Sequence, residues 1–155
     1  MKTKHLIVSF LFLFLGTMTI QVAVAGEHDA VLGDWTTPKG KSTVSLYLCG
    51  NKVCGKITAL KEPKYPADDE KGMAGKTKID RENPDEKQRN KPLIGLVILE
   101  GFDRAEEGLW KNGTVYDPEN GKTYKCKLTL ESDKVLKVRG FIGFALLGRT
   151  SVWTR

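Results

Sequence analysis

The chain has 155 residues, with 25 Lys+Arg against 19 Asp+Glu, a net charge of +6, 40% hydrophobic content and 3 Cys. That length favours one domain over two very small ones. The composition excludes a disordered or collagen-like chain, and Cys is too sparse for a scaffold held by disulfides alone.

The N-terminus reads as an export signal. Lys2 and Lys4 stand without an acid, Leu6 to Ile20 are almost wholly apolar, and Gln21-Val22-Ala23-Val24-Ala25 ends in small residues. Cleavage is therefore expected before Gly26, giving a signal peptide over 1–25 and a single domain over 26–155. The apolar run is shorter than the roughly 20 residues that span a bilayer, and no basic stop-transfer cluster follows it. The mature product is expected to be soluble, exported and not membrane-spanning. Removing 25 residues leaves 130, and the loss of two Lys lowers the charge from +6 to +4. A domain of that size buries roughly two thirds of its unfolded surface. The charge is no nucleic-acid footprint, and export argues against nucleic acid independently.

Strand-like runs follow at 30–36, 42–49, 54–60, 93–102, 107–116, 122–131, 134–141 and 144–154. Turn signals separate them: Pro38-Lys39-Gly40, Ser132-Asp133 and above all Asp117-Pro118-Glu119-Asn120-Gly121, where Pro presets φ and Asn-Gly supplies positive φ. In the second and third runs, Val44, Leu46 and Leu48 share one face, as do Gly55, Ile57 and Ala59. Cys49 and Cys54 then fall on the outer face, directly across a hairpin, which suits a disulfide in an oxidising compartment. A redox pair is the alternative, but four intervening residues depart from the usual two. Cys126 alternates inward with Tyr124, Leu128 and Leu130 and reads as a buried, inert thiol. Eight strands joined mostly by tight turns predict an all-β, eight-stranded up-and-down antiparallel barrel.

One connection differs. Residues 61–92 hold 17 charged residues and 4 Pro in 32, too polar to contribute much core. A loop this long is expected to be a lid over the barrel mouth or a solvated insert. Asn83-Pro84-Asp85-Glu86 reads as the start of a short helix reaching about Asn90, capped by Asn83. The next segment, Leu93 to Leu99, is apolar on both faces. Its outer face is expected to be covered by the insert, the N-terminus or a second copy of the chain, which makes a homodimer through 93–99 one expectation.

Gly33-Asp34-Trp35 on the first strand, with Arg149 and Arg155 on the last, resembles the signature of lipocalin-like (calycin) barrels. That resemblance implies barrel closure by Gly33, Trp35, Arg149 and Arg155, with the indole as plug and a cation across its face. A longer set of residues covers nearly the whole mature chain. It comprises Gly33-x-Trp35, Cys49-Gly50, Cys54-Gly55, Asp80, Asn83-Pro84, Pro92-Leu93-Ile94-Gly95, Trp110, Gly113 and Tyr116-Asp117-Pro118. It continues through Gly121, Tyr124, Gly140-Phe141-Ile142-Gly143, Gly148-Arg149-Thr150 and Trp153-Thr154-Arg155. These residues resemble an exported bacterial family catalogued as domain of unknown function 2147. The resemblance implies a calycin-like barrel in a Gram-negative envelope, periplasmic or secreted, and implies no activity. Cys126 departs from the family pattern.

The residue types restrict the chemistry. One histidine, His28, remains in the mature chain, close to its end, which argues against Ser-His-Asp, Cys-His and His-based zinc sites. No P-loop, dinucleotide fingerprint or EF-hand occurs, and neither metal nor cofactor is expected. The first functional expectation is a non-enzymatic binding module for a small apolar or amphipathic ligand or an envelope polymer. Its liners would come from Trp110, Tyr116, Tyr124, Phe141 and Phe144, with Arg139 or Arg149 fixing an anionic group. The alternative is a structural or protein-interaction factor of the envelope whose aromatics simply fill the barrel. A hydrolase of envelope polymers, built on two of Asp34, Asp80, Asp85, Glu100 and Asp103, is a third reading.

Overall fold

The computed structural model describes residues 29–155, Ala145 excepted. The expected signal peptide and His28 lie outside the described residues. Eight antiparallel strands close into a barrel in which each strand pairs with its chain neighbours. They are β1 (Gly33–Thr36), β2 (Ser42–Cys49), β3 (Lys52–Leu60), β4 (Val97–Glu106), β5 (Leu109–Asp117), β6 (Lys122–Ser132), β7 (Val135–Phe141) and β8 (Gly148–Thr154). Closure rests on a single register pair between β1 and β8, Thr36 with Thr154.

The alternation that predicts the strands also fills the core. Val44 and Leu46 from β2, Val53 and Ile57 from β3, Leu128 from β6 and Leu136 and Val138 from β7 are all buried. Side chains on a strand point to alternate faces, so each apolar residue in phase enters the same interior. Leu99, Phe102 and Trp110 complete the packing. At Gly113 a Cβ would stand 2.4 Å from the Phe102 ring, so the ring fits only because β5 presents bare backbone there.

Several boundaries differ from the sequence expectation. The first run is not one strand: Asp29–Val31 forms a 3-10 turn before β1, and Trp35 Nε1 donates to the Val31 carbonyl at 2.8 Å. The fourth starts at Val97, because Gly95 takes φ 92 and Leu96 N turns back to the Leu93 carbonyl. The last starts at Gly148 rather than 144, because Gly143 takes φ 67 and Ile142 N turns back to the Leu147 carbonyl.

Cys49 and Cys54 form the disulfide with Cα atoms 5.8 Å apart. They are not directly opposite: Cys49 pairs with Lys52 and Cys54 with Tyr47, so the bridge runs diagonally. Leu48 and Ala59 leave the inward phase, Leu48 at the hairpin end and Ala59 after a register shift at Thr43/Val44. At the β5–β6 turn only Gly121 takes positive φ, whereas Asn120 acts through its side chain, which accepts from Lys122 N and donates to Asp117.

Candidate functional site

One end of the barrel is sealed. Trp35 is wholly buried, and the Arg155 guanidinium lies 4.2 Å from its ring centre. Arg155 also donates to the carbonyls of Leu32 at 2.8 Å and Ala30 at 2.9 Å, and to that of Asp133. Gly33 opens β1 beneath this guanidinium. Of the residues expected to close the barrel, Arg149 is the correction. It pairs with Gly140 at the start of β8, so it stands on the wall of the cavity at the opposite end.

That cavity measures about 1150 Å³. Ile57, Ile98, Val115, Val138 and Trp153 supply apolar wall from five strands, and Trp153 turns its N–H onto Ser151. Charged groups of both signs also line it, among them Lys61, Lys78 and Arg149 against Glu62, Asp117 and Glu119. Apolar strand surface thus meets a mixed charged border, a surface suited to a molecule with an apolar body and a polar end.

The charged connection between β3 and β4 folds against this mouth as a strap. Tyr65, its one aromatic residue, is buried; its hydroxyl donates to the Ile79 carbonyl at 3.0 Å and accepts from Ile79 N at 3.2 Å. Arg81 stacks 4.1 Å from the Tyr65 ring centre and donates to Asp69 at 2.8 Å. That hydrogen bond holds the Asp69 carboxyl below the usual carboxylate range, and the bond from Lys71 does the same for Glu82. Isolated bridges join Lys64 to Thr77 and Ile79 to Pro92. Leu93 N donates to the Lys78 carbonyl, while Leu93 and Leu96 pack against the core. The strap is thus hydrogen-bonded to the start of the apolar 93–99 segment, and Ile94 stays exposed.

Asp80 ties the strap to the barrel. It is wholly buried and accepts from the Tyr116 hydroxyl at 2.6 Å and from Asn83 Nδ2 at 2.6 Å. Burial, and then the bond to Asp80, push the Tyr116 phenol well above its ordinary pKa. Nearby, the Glu82 carbonyl occupies the place of a Gly121 side chain: a Cβ there would stand 1.9 Å from it. The expected helix after Asn83 is shorter, a 3-10 turn over Glu86–Gln88. Its cap is Asp85, which accepts from Lys87 N, while Asn83 serves Asp80.

Of the expected ligand contacts, Tyr116, Tyr124, Phe141 and Arg149 line the cavity. Trp110 does not; it is buried in the core, paired with Leu128 and Arg104. Arg139 lies off the cavity wall, bonded to Thr150 and to the Leu146 carbonyl. Phe144 is 82% exposed and lies off it too. The five acids considered for hydrolysis are likewise not among the cavity's lining residues. Asp103 pairs with Lys52, Asp85 caps a turn and Asp80 anchors the strap. Sequence reasoning missed Tyr65 and Trp153 as liners. A lone aromatic in a charged insert, and a Trp in phase with Ser151 on the last strand, were the available signals.

The family description "Uncharacterized protein conserved in bacteria (DUF2147)" matches residues 33–155, and the chain belongs to that bacterial family. Among curated proteins none matches. A solved structure of protein HP1028 from the human pathogen Helicobacter pylori, described as belonging to the lipocalin family, is similar in fold. Identity is 24% and the TM-score 0.66, covering 80% of this chain and 81% of that one.

Proposed function

We propose that this lipocalin-like member of the family is a non-enzymatic binding module that holds a small apolar or amphipathic molecule in the strapped mouth of the barrel. The carrying observation is the cavity of about 1150 Å³ between apolar strand surface and a charged border. Small-molecule pockets run to about 1,000 Å³, so this one has room for a ligand of that class. A barrel packed solid, the alternative for an envelope interaction factor, would leave no such volume.

The setting we infer is the periplasm or the exterior of the cell. A disulfide between Cys49 and Cys54 suits an oxidising compartment, as does the signal-like sequence over 1–25.

Native mass spectrometry of the protein recovered from a periplasmic extract tests the reading. A retained small-molecule mass is expected, and it should be lost on unfolding. The bare protein mass, obtained repeatedly from fresh extract, would remove the proposal. The same spectrum reports whether two copies associate, and loss of that dimer in Ile94→Ser would place the contact at 93–99, where Ile94 is exposed.

A further inference from the structure

We propose that the β7–β8 loop, through Ile142, Phe144, Leu146 and Leu147, is a membrane-docking tip that inserts into the anionic surface of a lipid bilayer beside the cavity mouth. Four large apolar side chains crowd this loop in full view of solvent: Ile142 is 71% exposed, Phe144 82%, Leu146 88% and Leu147 73%. Solitary exposed apolar residues are ordinary, but a contiguous group marks a surface that something else covers.

Charge names the occupant. From Arg139 to Arg149 the sequence holds two arginines and no acid. Lys125 pairs with Phe141 and Lys127 with Arg139 on the neighbouring strand, which sets two more cations behind the tip. Apolar side chains leading and cations following is the arrangement that suits acyl chains beneath anionic headgroups. Arg139 also braces the loop, donating to Thr150 at 2.8 Å and to the Leu146 carbonyl at 3.2 Å.

Shape and charge disfavour the other occupants. Exposures this high belong to a convex tip, which offers a protein partner little complementary area. Two copies meeting tip to tip would bring their own cations together. Ile142, Leu147 and Arg149 also line the cavity, so an inserted tip would hold the mouth at the lipid surface. Insertion needs no cargo, so its failure and the failure of the binding reading are read by different measurements.

Flotation of the full-sequence product on vesicles of phosphatidylglycerol and phosphatidylethanolamine tests this, with phosphatidylcholine vesicles for comparison. The double substitution Phe144→Ser with Leu146→Ser, prepared identically, isolates the loop from any contribution of the N-terminus. The wild type is expected to float with the anionic vesicles, and the double variant to bind at least about tenfold more weakly. Binding should also weaken at about 0.5 M salt, where headgroup attraction is screened. A second variant does not depend on the first. Trp35, Trp110 and Trp153 are all buried, so the emission of Phe144→Trp reports on the tip and should shift to the blue when anionic vesicles are added. Equal flotation of wild type and double variant, no flotation of either, or an unshifted emission would each overturn the proposal. So would a lipid-free dimer that the double variant loses, because a second copy would then be the occupant.

Discussion

The guanidinium of Arg155 covers the ring of Trp35 at 4.2 Å where β1 and β8 share only the pair Thr36–Thr154. With little ladder at the seam, closure falls to side chains. The indole fills the end, and the guanidinium bonds the carbonyls of Ala30 and Leu32 ahead of β1.

Trp35→Ala should therefore cost about 3–5 kcal/mol, through lost contact and the cavity left behind. Arg155→Lys keeps the charge but loses the planar fork, and about 1 kcal/mol is expected. Urea unfolding followed by circular dichroism measures both, and a smaller cost for Trp35→Ala than for Arg155→Lys would mean that the fork, not the plug, carries the closure.

Replacing both Cys49 and Cys54 by Ser should lower stability by about 2 kcal/mol, since the bridge closes only a short loop. The same unfolding measurement under non-reducing conditions checks it.

Tyr116→Phe deprives the buried Asp80 of one of its two side-chain donors. About 1–3 kcal/mol is expected, concentrated in the strap. Limited proteolysis should cut the variant within 61–92 before the barrel opens. Gly121→Ala should loosen the same region by displacing the Glu82 carbonyl.

The strap should also loosen in acid. Asp69 and Glu82 have depressed folded pKa values, so their stabilisation is complete above the unfolded value of about 4. It is lost as the pH falls through the lower folded values. Amide hydrogen exchange at Tyr65 and Gly75, which bond within the strap, should show constant protection from about pH 8 to 5 and loss below about 4.

Cys126 is buried, and burial pushes its thiol up to about 12. An aromatic disulfide reagent at about pH 8 should leave it unmodified in the folded protein and react fully in denaturant, because only the thiolate attacks.

The architecture was legible because strand alternation is a local signal. Val44-x-Leu46 and Cys126-x-Leu128 state their own phase, and Asp-Pro-Glu-Asn-Gly states its own turn. The strap was not, because its order comes from contacts distant in sequence. Tyr65 meets Ile79, and Asp80 meets Tyr116 across 36 residues, which no periodicity announces. For the same reason the candidate liners divided. Tyr116, Tyr124, Phe141 and Arg149 reached the cavity, while Trp110, of the same aromatic character, packed into the core.

The sequence by itself determined the eight-stranded course and the disulfide partners, because strand alternation and a short hairpin depend on neighbours in the chain. Only the tertiary structure decided that Arg155 rather than Arg149 caps the indole, that the charged strap is ordered, and that Ile142, Phe144, Leu146 and Leu147 stand in solvent. Those outcomes follow from the stagger with which the barrel closes and from which groups the closed barrel brings into contact, and neither is written in any local run of residues.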